Sequence, residues 1–183
     1  MKQNGGYNAI INRVQPQPSP FQGENVGQIY QTWNFGKINF MQKMPFSIEI
    51  KASREKVWNT LWEDKTFRDW ASIIDEGTYM VGEMKEGNEL QFISSESGYG
   101  VTSLIEKLAL NESVLFRHMR DTKESGEQER EKEWTGGTES YSLAEKDGIT
   151  TLLVELHVPR GQVEMSKVRF PKALKRVKIL AEK

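Results

Sequence analysis

The sequence predicts an α+β fold: a seven-stranded antiparallel sheet wrapped around a long C-terminal helix, with two short helices after the first strand. Three observations predict it. A strand-like alternation at 46–50 runs directly into apolar residues at helical spacing. Six further alternating runs follow, separated by short turn-forming clusters of Gly, Asn and Asp. The chain ends on one amphipathic helical stripe.

Each element has its own signal. Phe46, Ile48 and Ile50 alternate with Ser47, Glu49 and Lys51, the period-two pattern of a half-buried strand. Ser53 stands where a helix N-cap is needed, because its hydroxyl can accept an orphan backbone N–H. Val57, Trp58, Leu61 and Trp62 follow at helical spacing. Thr66 and Asp69 fit a capping box, which predicts a second short helix carrying Phe67 and Trp70 inward. Strands are then expected at about 78–83, 88–96, 100–108, 113–122, 134–145 and 149–158. Asp147-Gly148 between two alternating runs is a strong hairpin signal, since both turn positions favour φ > 0. Regular short spacing implies an antiparallel meander. Val163, Phe170, Leu174, Val177, Leu180 and Ala181 form the stripe of a terminal helix starting near 163, with a local irregularity at Pro171. A sheet with one apolar face must cover it, and this helix is the natural cover. A strongly twisted sheet around one helix leaves concave apolar space of the kind small ligands occupy.

Composition narrows the function classes. The 183 residues suit one domain with a tail. A net charge of -1 provides no basic field for sequence-independent nucleic-acid binding. With no Cys there is no disulfide, thiol nucleophile or thiolate metal site, and two His argue against a His-rich one. No apolar run approaches the ~18–20 residues of a membrane span, and no secretory signal is visible. The expectation is a soluble cytoplasmic protein. Residues 1–40 hold only four charged side chains but twelve Asn or Gln and five Gly. Residues 1–44 therefore read as a low-complexity, disordered extension and residues 45–183 as the folded domain. The alternatives for the extension are a partner-binding tail and a translation start at Met41 or Met44.

Particular stretches carry a family likeness. The run from Phe46 to Trp58 resembles the opening strand and helix of the START-like, or SRPBCC, superfamily. The run from Trp134 to Leu143 resembles its penultimate strand, and Phe170 to Glu182 its terminal helix. The most similar branch is the group homologous to the C-terminal domain of the activator of the heat-shock-protein-90 ATPase. The resemblance covers roughly residues 45–183 and implies the helix-grip fold, with a cavity between sheet and terminal helix. The superfamily includes lipid and hormone binders, polyketide cyclases and oxygenase subunits, so the fold alone does not choose a function.

The candidate site is built on two strands. Val114, Phe116 and His118 share one face, as do Glu139, Tyr141 and Leu143. Pairing Phe116 opposite Tyr141 sets Val114 against Leu143 and His118 against Glu139. A carboxylate beside the imidazole would raise the His118 pKa. Trp70, Leu90, Phe92, Phe116, His118, Glu139, Tyr141, Val154 and Leu174 are the candidate cavity residues. Trp58 and Trp62 read as core, and His157 as exposed, because it alternates with Leu156 and Val158. That places the two histidines on different faces and argues against a metal site. The charge-dense segment 121–133 reads as a solvated hairpin tip, with a cavity gate or an acidic partner surface as alternatives. The expected function is non-enzymatic binding of a small apolar or amphipathic molecule. A chaperone-partner module is the second reading, and a cyclase- or hydrolase-like enzyme using His118 with Glu139 the third. No cofactor is implied, and no residue is assigned a catalytic role.

Overall fold

In the computed structural model, residues 41–123 and 134–183 are described. Residues 1–40 of the expected 1–44 extension, and the tip of the charged hairpin at 124–133, lie outside them. Strand β1 (Met41–Ile50) is followed by helices α1 (Arg54–Trp62) and α2 (Asp64–Ala71). Strands β2 (Thr78–Val81), β3 (Glu89–Ser94), β4 (Tyr99–Ala109), β5 (Ser113–Lys123), β6 (Thr138–Lys146) and β7 (Ile149–Pro159) come next. A 3-10 turn at Arg160–Gln162 leads into helix α3 (Val163–Ala181). The seven strands form one antiparallel sheet in the order β1-β7-β6-β5-β4-β3-β2. This is the α+β, helix-covered sheet the sequence predicts.

Topology places the helices. β1 and β2 are consecutive in the chain but occupy opposite edges, so α1 and α2 must cross the sheet between them. α3 packs on β1 and on both short helices. The faces follow the alternation: Leu152, Val154, Leu156 and Val158 of β7 are buried, as are Val114, Phe116 and His118 of β5. Phe46 of β1 stacks on Phe170 of α3, with ring centroids 5.3 Å apart.

Local rules explain the boundaries. The Ser53 side chain accepts from Lys56 N–H at 3.3 Å and caps α1 as expected. Asp147 and Gly148 both have positive φ, at 52° and 74°, as the two-residue hairpin requires. β1 begins at Met41, earlier than the Phe46–Ile50 alternation indicates. Pro45 is tolerated there because β1 is an edge strand, where a missing N–H need not break a ladder. α3 runs through Pro171 without interruption. Pro171 and Lys167 are both exposed, so the Lys167 carbonyl that loses its helical donor faces water.

Two expectations are corrected. α2 starts at Asp64, so Thr66 does not cap it; its hydroxyl donates back to the Glu63 carbonyl at 3.1 Å. Glu63 is a single extended residue that ends α1 and begins α2, leaving no separate loop for a capping box. Asp69 instead receives a two-pronged hydrogen bond from Arg176 of α3. The β5–β6 register also differs: Val114 faces Tyr141 and Phe116 faces Glu139. A two-residue slip leaves the same side chains on the same face, so alternation cannot detect it. The register is held by His118, whose backbone exchanges hydrogen bonds with Gly136 and Gly137, and by Leu143 N–H donating to Glu112.

A candidate ligand pocket between sheet and helices

Residues of α1, α2 and α3, the start of β2 and strands β3 to β7 line a half-open apolar pocket of about 130 Å³. Its walls are Trp62, Phe67, Trp70, Ala71, Ile74, Thr78, Phe92, Val101, His118, Trp134, Glu139, Tyr141, Leu156 and Phe170. Ile74, Thr78, Phe92, Val101 and Trp134 also line a second recess of about 370 Å³, reaching Ser94, Ser97, Met165 and Arg169. A small aromatic chamber thus adjoins a larger, more polar one.

Of the candidate cavity residues, Trp70, Phe92, His118, Glu139 and Tyr141 line the aromatic chamber. Phe116 is buried directly behind it, edge-on to Phe92 at 5.4 Å and to Trp62 at 5.5 Å. Leu90 and Val154 are buried elsewhere in the core. Leu174 is buried beneath a surface groove lined by Phe46, Ile48 and Pro171.

His118 is 2% exposed. Its Nδ1 lies 2.8 Å from Ser103 Oγ on β4, a contact created where the β4–β5 register shifts between Thr102 and Ser103. Such bulges re-aim side chains, and this one sets Ser103 opposite the imidazole. Gly137 keeps the other flank open: a Cβ there would sit 3.3 Å from His118 Cδ2. The His118 ring meets Trp134 edge-on at 5.8 Å. Nε2 stands 3.8 Å from Glu139 Oε2, close but beyond hydrogen-bond length. On its other oxygen Glu139 accepts a short hydrogen bond from the Tyr141 hydroxyl.

The electrostatics correct an expectation. Glu139 does not raise the His118 pKa; burial lowers it to about 4. Burial raises Glu139 to about 7, against the opposing hydrogen bond from Tyr141. The Tyr141 hydroxyl is pushed well above its ordinary range by burial, by the Glu139 charge and by its bond to that carboxyl. Desolvation of each charged form outweighs the attraction between the two charges at this separation. The pair is therefore mainly neutral imidazole beside a carboxyl that titrates near neutrality.

The indoles of the pocket differ. Trp70 Nε1–H donates to the Leu61 carbonyl at 3.1 Å, so its polar end is used inside the fold. Trp62 Nε1 is buried with no hydrogen-bond partner among the described residues. Its ring stands edge-on to Tyr141 at 4.9 Å. The helical spacing identifies Trp62 as inward but not its unpartnered donor. Ser103, Trp134 and Gly137 also escape sequence reading, because a bulge and a Gly-Gly turn bring them to His118. His157 sits half-exposed, its Nδ1 2.6 Å from Thr138 Oγ1, and is not a pocket residue.

Compared with protein-family models and with curated proteins, the sequence matches none. Solved structures do match. The Aha1 dimer from Colwellia psychrerythraea aligns with a TM-score of 0.59 at 20% identity, over 78% of this chain and 97% of that one. Protein MLL2253 from Mesorhizobium loti aligns with a TM-score of 0.60 at 12% identity, over 76% and 96%. Protein CV1439 from Chromobacterium violaceum aligns with a TM-score of 0.57 at 15% identity, over 78% and 99%. These structures share this chain's fold, a helix-grip arrangement of a curled antiparallel sheet and a long C-terminal helix, which is the fold the sequence resemblance implies. Among the described residues no helix is long and apolar enough to cross a membrane.

Proposed function

We propose that the protein binds a small apolar or amphipathic molecule in the aromatic chamber and acts as a binder, not a catalyst. The observation carrying this is the chamber itself: an apolar recess walled by Trp, Phe and Tyr, with a few polar groups converging on it. Burial supplies part of the affinity. A one-ring ligand losing on the order of 200 Å² of apolar surface gains ~5 kcal/mol before ordering costs. Catalysis has less support. Ser103, the hydroxyl beside His118, is fully buried and does not line the chamber. Thr78 does line it, but its hydroxyl donates to the Asp75 carbonyl at 2.6 Å. Neither is poised as a nucleophile. The alternative of a chaperone-partner module rests on the likeness to the Aha1 structure, which at 20% identity speaks to fold.

Ala71 is a small residue in the wall, so Ala71→Leu should fill the chamber. Native mass spectrometry of protein from its own host, followed by denaturing extraction, should show a stoichiometric small molecule on the parent chain and none on Ala71→Leu. Parent protein that emerges empty and gains no thermal stability from small apolar compounds would overturn the reading.

A further inference from the structure

We propose that His118 Nε2 and Glu139 Oε2 form a two-donor anchor in the chamber, and that the ligand is a molecule presenting a carbonyl oxygen to both. The inference rests on the binding function proposed above and names the polar group its ligand carries.

Access comes first. His118 and Glu139 both line the chamber. Among the described residues neither Nε2 nor Oε2 makes a hydrogen bond, since His118 uses Nδ1 for Ser103 and Glu139 uses Oε1 for Tyr141. Unlike Trp62 Nε1, neither atom is sealed from a molecule the size of water.

Counting hydrogens shows what the two atoms offer. Ser103 is fully buried, and His118 Nδ1 is the one partner of its hydroxyl among the described residues. A buried hydroxyl without an acceptor is costly, so Ser103 donates and Nδ1 accepts. The imidazole, kept neutral by burial, then carries its hydrogen on Nε2. The Tyr141 hydroxyl likewise donates to Glu139 Oε1, which leaves Oε2 to hold the carboxyl proton. Two donors thus stand 3.8 Å apart, where they do not bond to each other. An acceptor ~2.9 Å from each forms the apex of a triangle on that base.

The surroundings keep that proton on Glu139. His118 of β5 and Tyr141 of β6 are the titratable groups facing it in the chamber; the walls from α1, α2, α3, β2, β3, β4 and β7 add none. Phe116 and Leu156 flank it on the neighbouring strands. Burial without a cation beside it raises its pKa to about 7.

Two donors select the acceptor. A carbonyl oxygen has two lone pairs and brings no hydrogen. A hydroxyl could accept from both donors, but its own O–H would be left unpaired among aromatic rings. The pair restricts neither the length nor the charge of the remaining molecule. A single ring suits the chamber of about 130 Å³. The adjoining recess of about 370 Å³, with Arg169 in its wall, can take a longer or anionic tail.

Nitrogen NMR of the full chain at pH 6 tests the anchor without any ligand. His118 should show its hydrogen on Nε2, and a hydrogen on Nδ1 would overturn the proposal. Isothermal titration then compares acetophenone, α-methylbenzyl alcohol, ethylbenzene and benzoate. Acetophenone should bind about tenfold more tightly than the alcohol or ethylbenzene, the worth of roughly one hydrogen bond. From pH 6 to pH 8 its binding to the parent should weaken about tenfold, as the fraction of protonated Glu139 falls. Glu139→Gln keeps a donor that does not titrate, so this variant should bind acetophenone equally at both pH values. If the alcohol or ethylbenzene matches acetophenone, if benzoate binds best, or if the parent shows no pH dependence, the carbonyl anchor is wrong although the chamber still binds. If none of the four binds the parent chain, the binding function fails and the ligand class with it.

Discussion

His118 and Glu139 hold, in the folded protein, the reverse of the protonation states they have in water. The ordinary values are 6.5 for His118 and 4.5 for Glu139, and burial moves them to about 4 and about 7. Between pH 4.5 and 6.5 the unfolded chain therefore carries imidazolium and carboxylate, while the folded chain carries imidazole and carboxylic acid. The proton count is the same, so the two contributions to the pH slope of stability cancel. The Glu139 contribution is fully present below pH 4.5 and lost as pH rises through about 7. The His118 contribution is present above pH 6.5 and lost as pH falls through about 4. At about 1.4 kcal/mol per pH unit, each swing amounts to about 3 kcal/mol. Urea unfolding should thus show little slope from this pair in the parent protein. Glu139→Gln should lose about 3 kcal/mol as pH falls from 6.5 to 4, and His118→Gln a similar amount as pH rises from 4.5 to 7. Flat profiles for both variants would refute the exchange. The residues of this pair are legible in the sequence as inward-facing polar groups. Their charge states are not, because those depend on burial that only the assembled sheet and helices create.

Among the elements, β4 carries the most information that patterning misses. Its turns and faces can be read from Gly98-Tyr99-Gly100 and the alternation that follows. Its irregularities cannot: the register shifts between Thr102 and Ser103 and again between Ile105 and Lys107. The first shift gives His118 its Ser103 partner. The β5–β6 slip has the same origin, since period-two patterning fixes which face is buried but not which residues face each other. Gly100 shows how a strand position can be set by backbone approach. A Cβ there would lie 2.0 Å from the Phe92 carbonyl oxygen, inside any tolerable contact. Gly100→Ala must therefore push β3 and β4 apart beside Phe92, a wall of the chamber. The expected cost is about 2–3 kcal/mol, the upper part of the overpacking range. Thermal unfolding should show a clear drop in midpoint, with slackened hydrogen-exchange protection in β3. A variant as stable as the parent would mean the two strands are less tightly paired here than the structure indicates.

For the whole molecule, closure of the sheet over its helices depends on β1 returning to the edge opposite β2. This strand covers β7, supplies Phe46 to stack on Phe170, and so joins the sheet to α3. The apolar alternation alone would begin the domain at Phe46, because Gln42, Lys43 and Pro45 conceal the earlier part of the strand. In the structure Met41–Pro45 pair residue by residue with Pro159–Glu155, and Met44 is buried opposite Leu156. A chain of residues 46–183 therefore loses one buried methionine, worth ~2–3 kcal/mol, together with part of a hydrogen-bond ladder worth about 1 kcal/mol per bond. The same cut bares the β7 edge at Leu156 and Val158, both buried in the intact sheet, and an open apolar edge favours association between copies. Compared with residues 41–183, the shorter chain should unfold at lower urea, by about 3–5 kcal/mol, a large part of the ~5–15 kcal/mol typical of a domain. It should also show concentration-dependent association in sedimentation velocity. Equal stability of the two chains would place the structural boundary at Phe46, where the alternation starts, and would remove Met41–Pro45 from the sheet that closes the pocket.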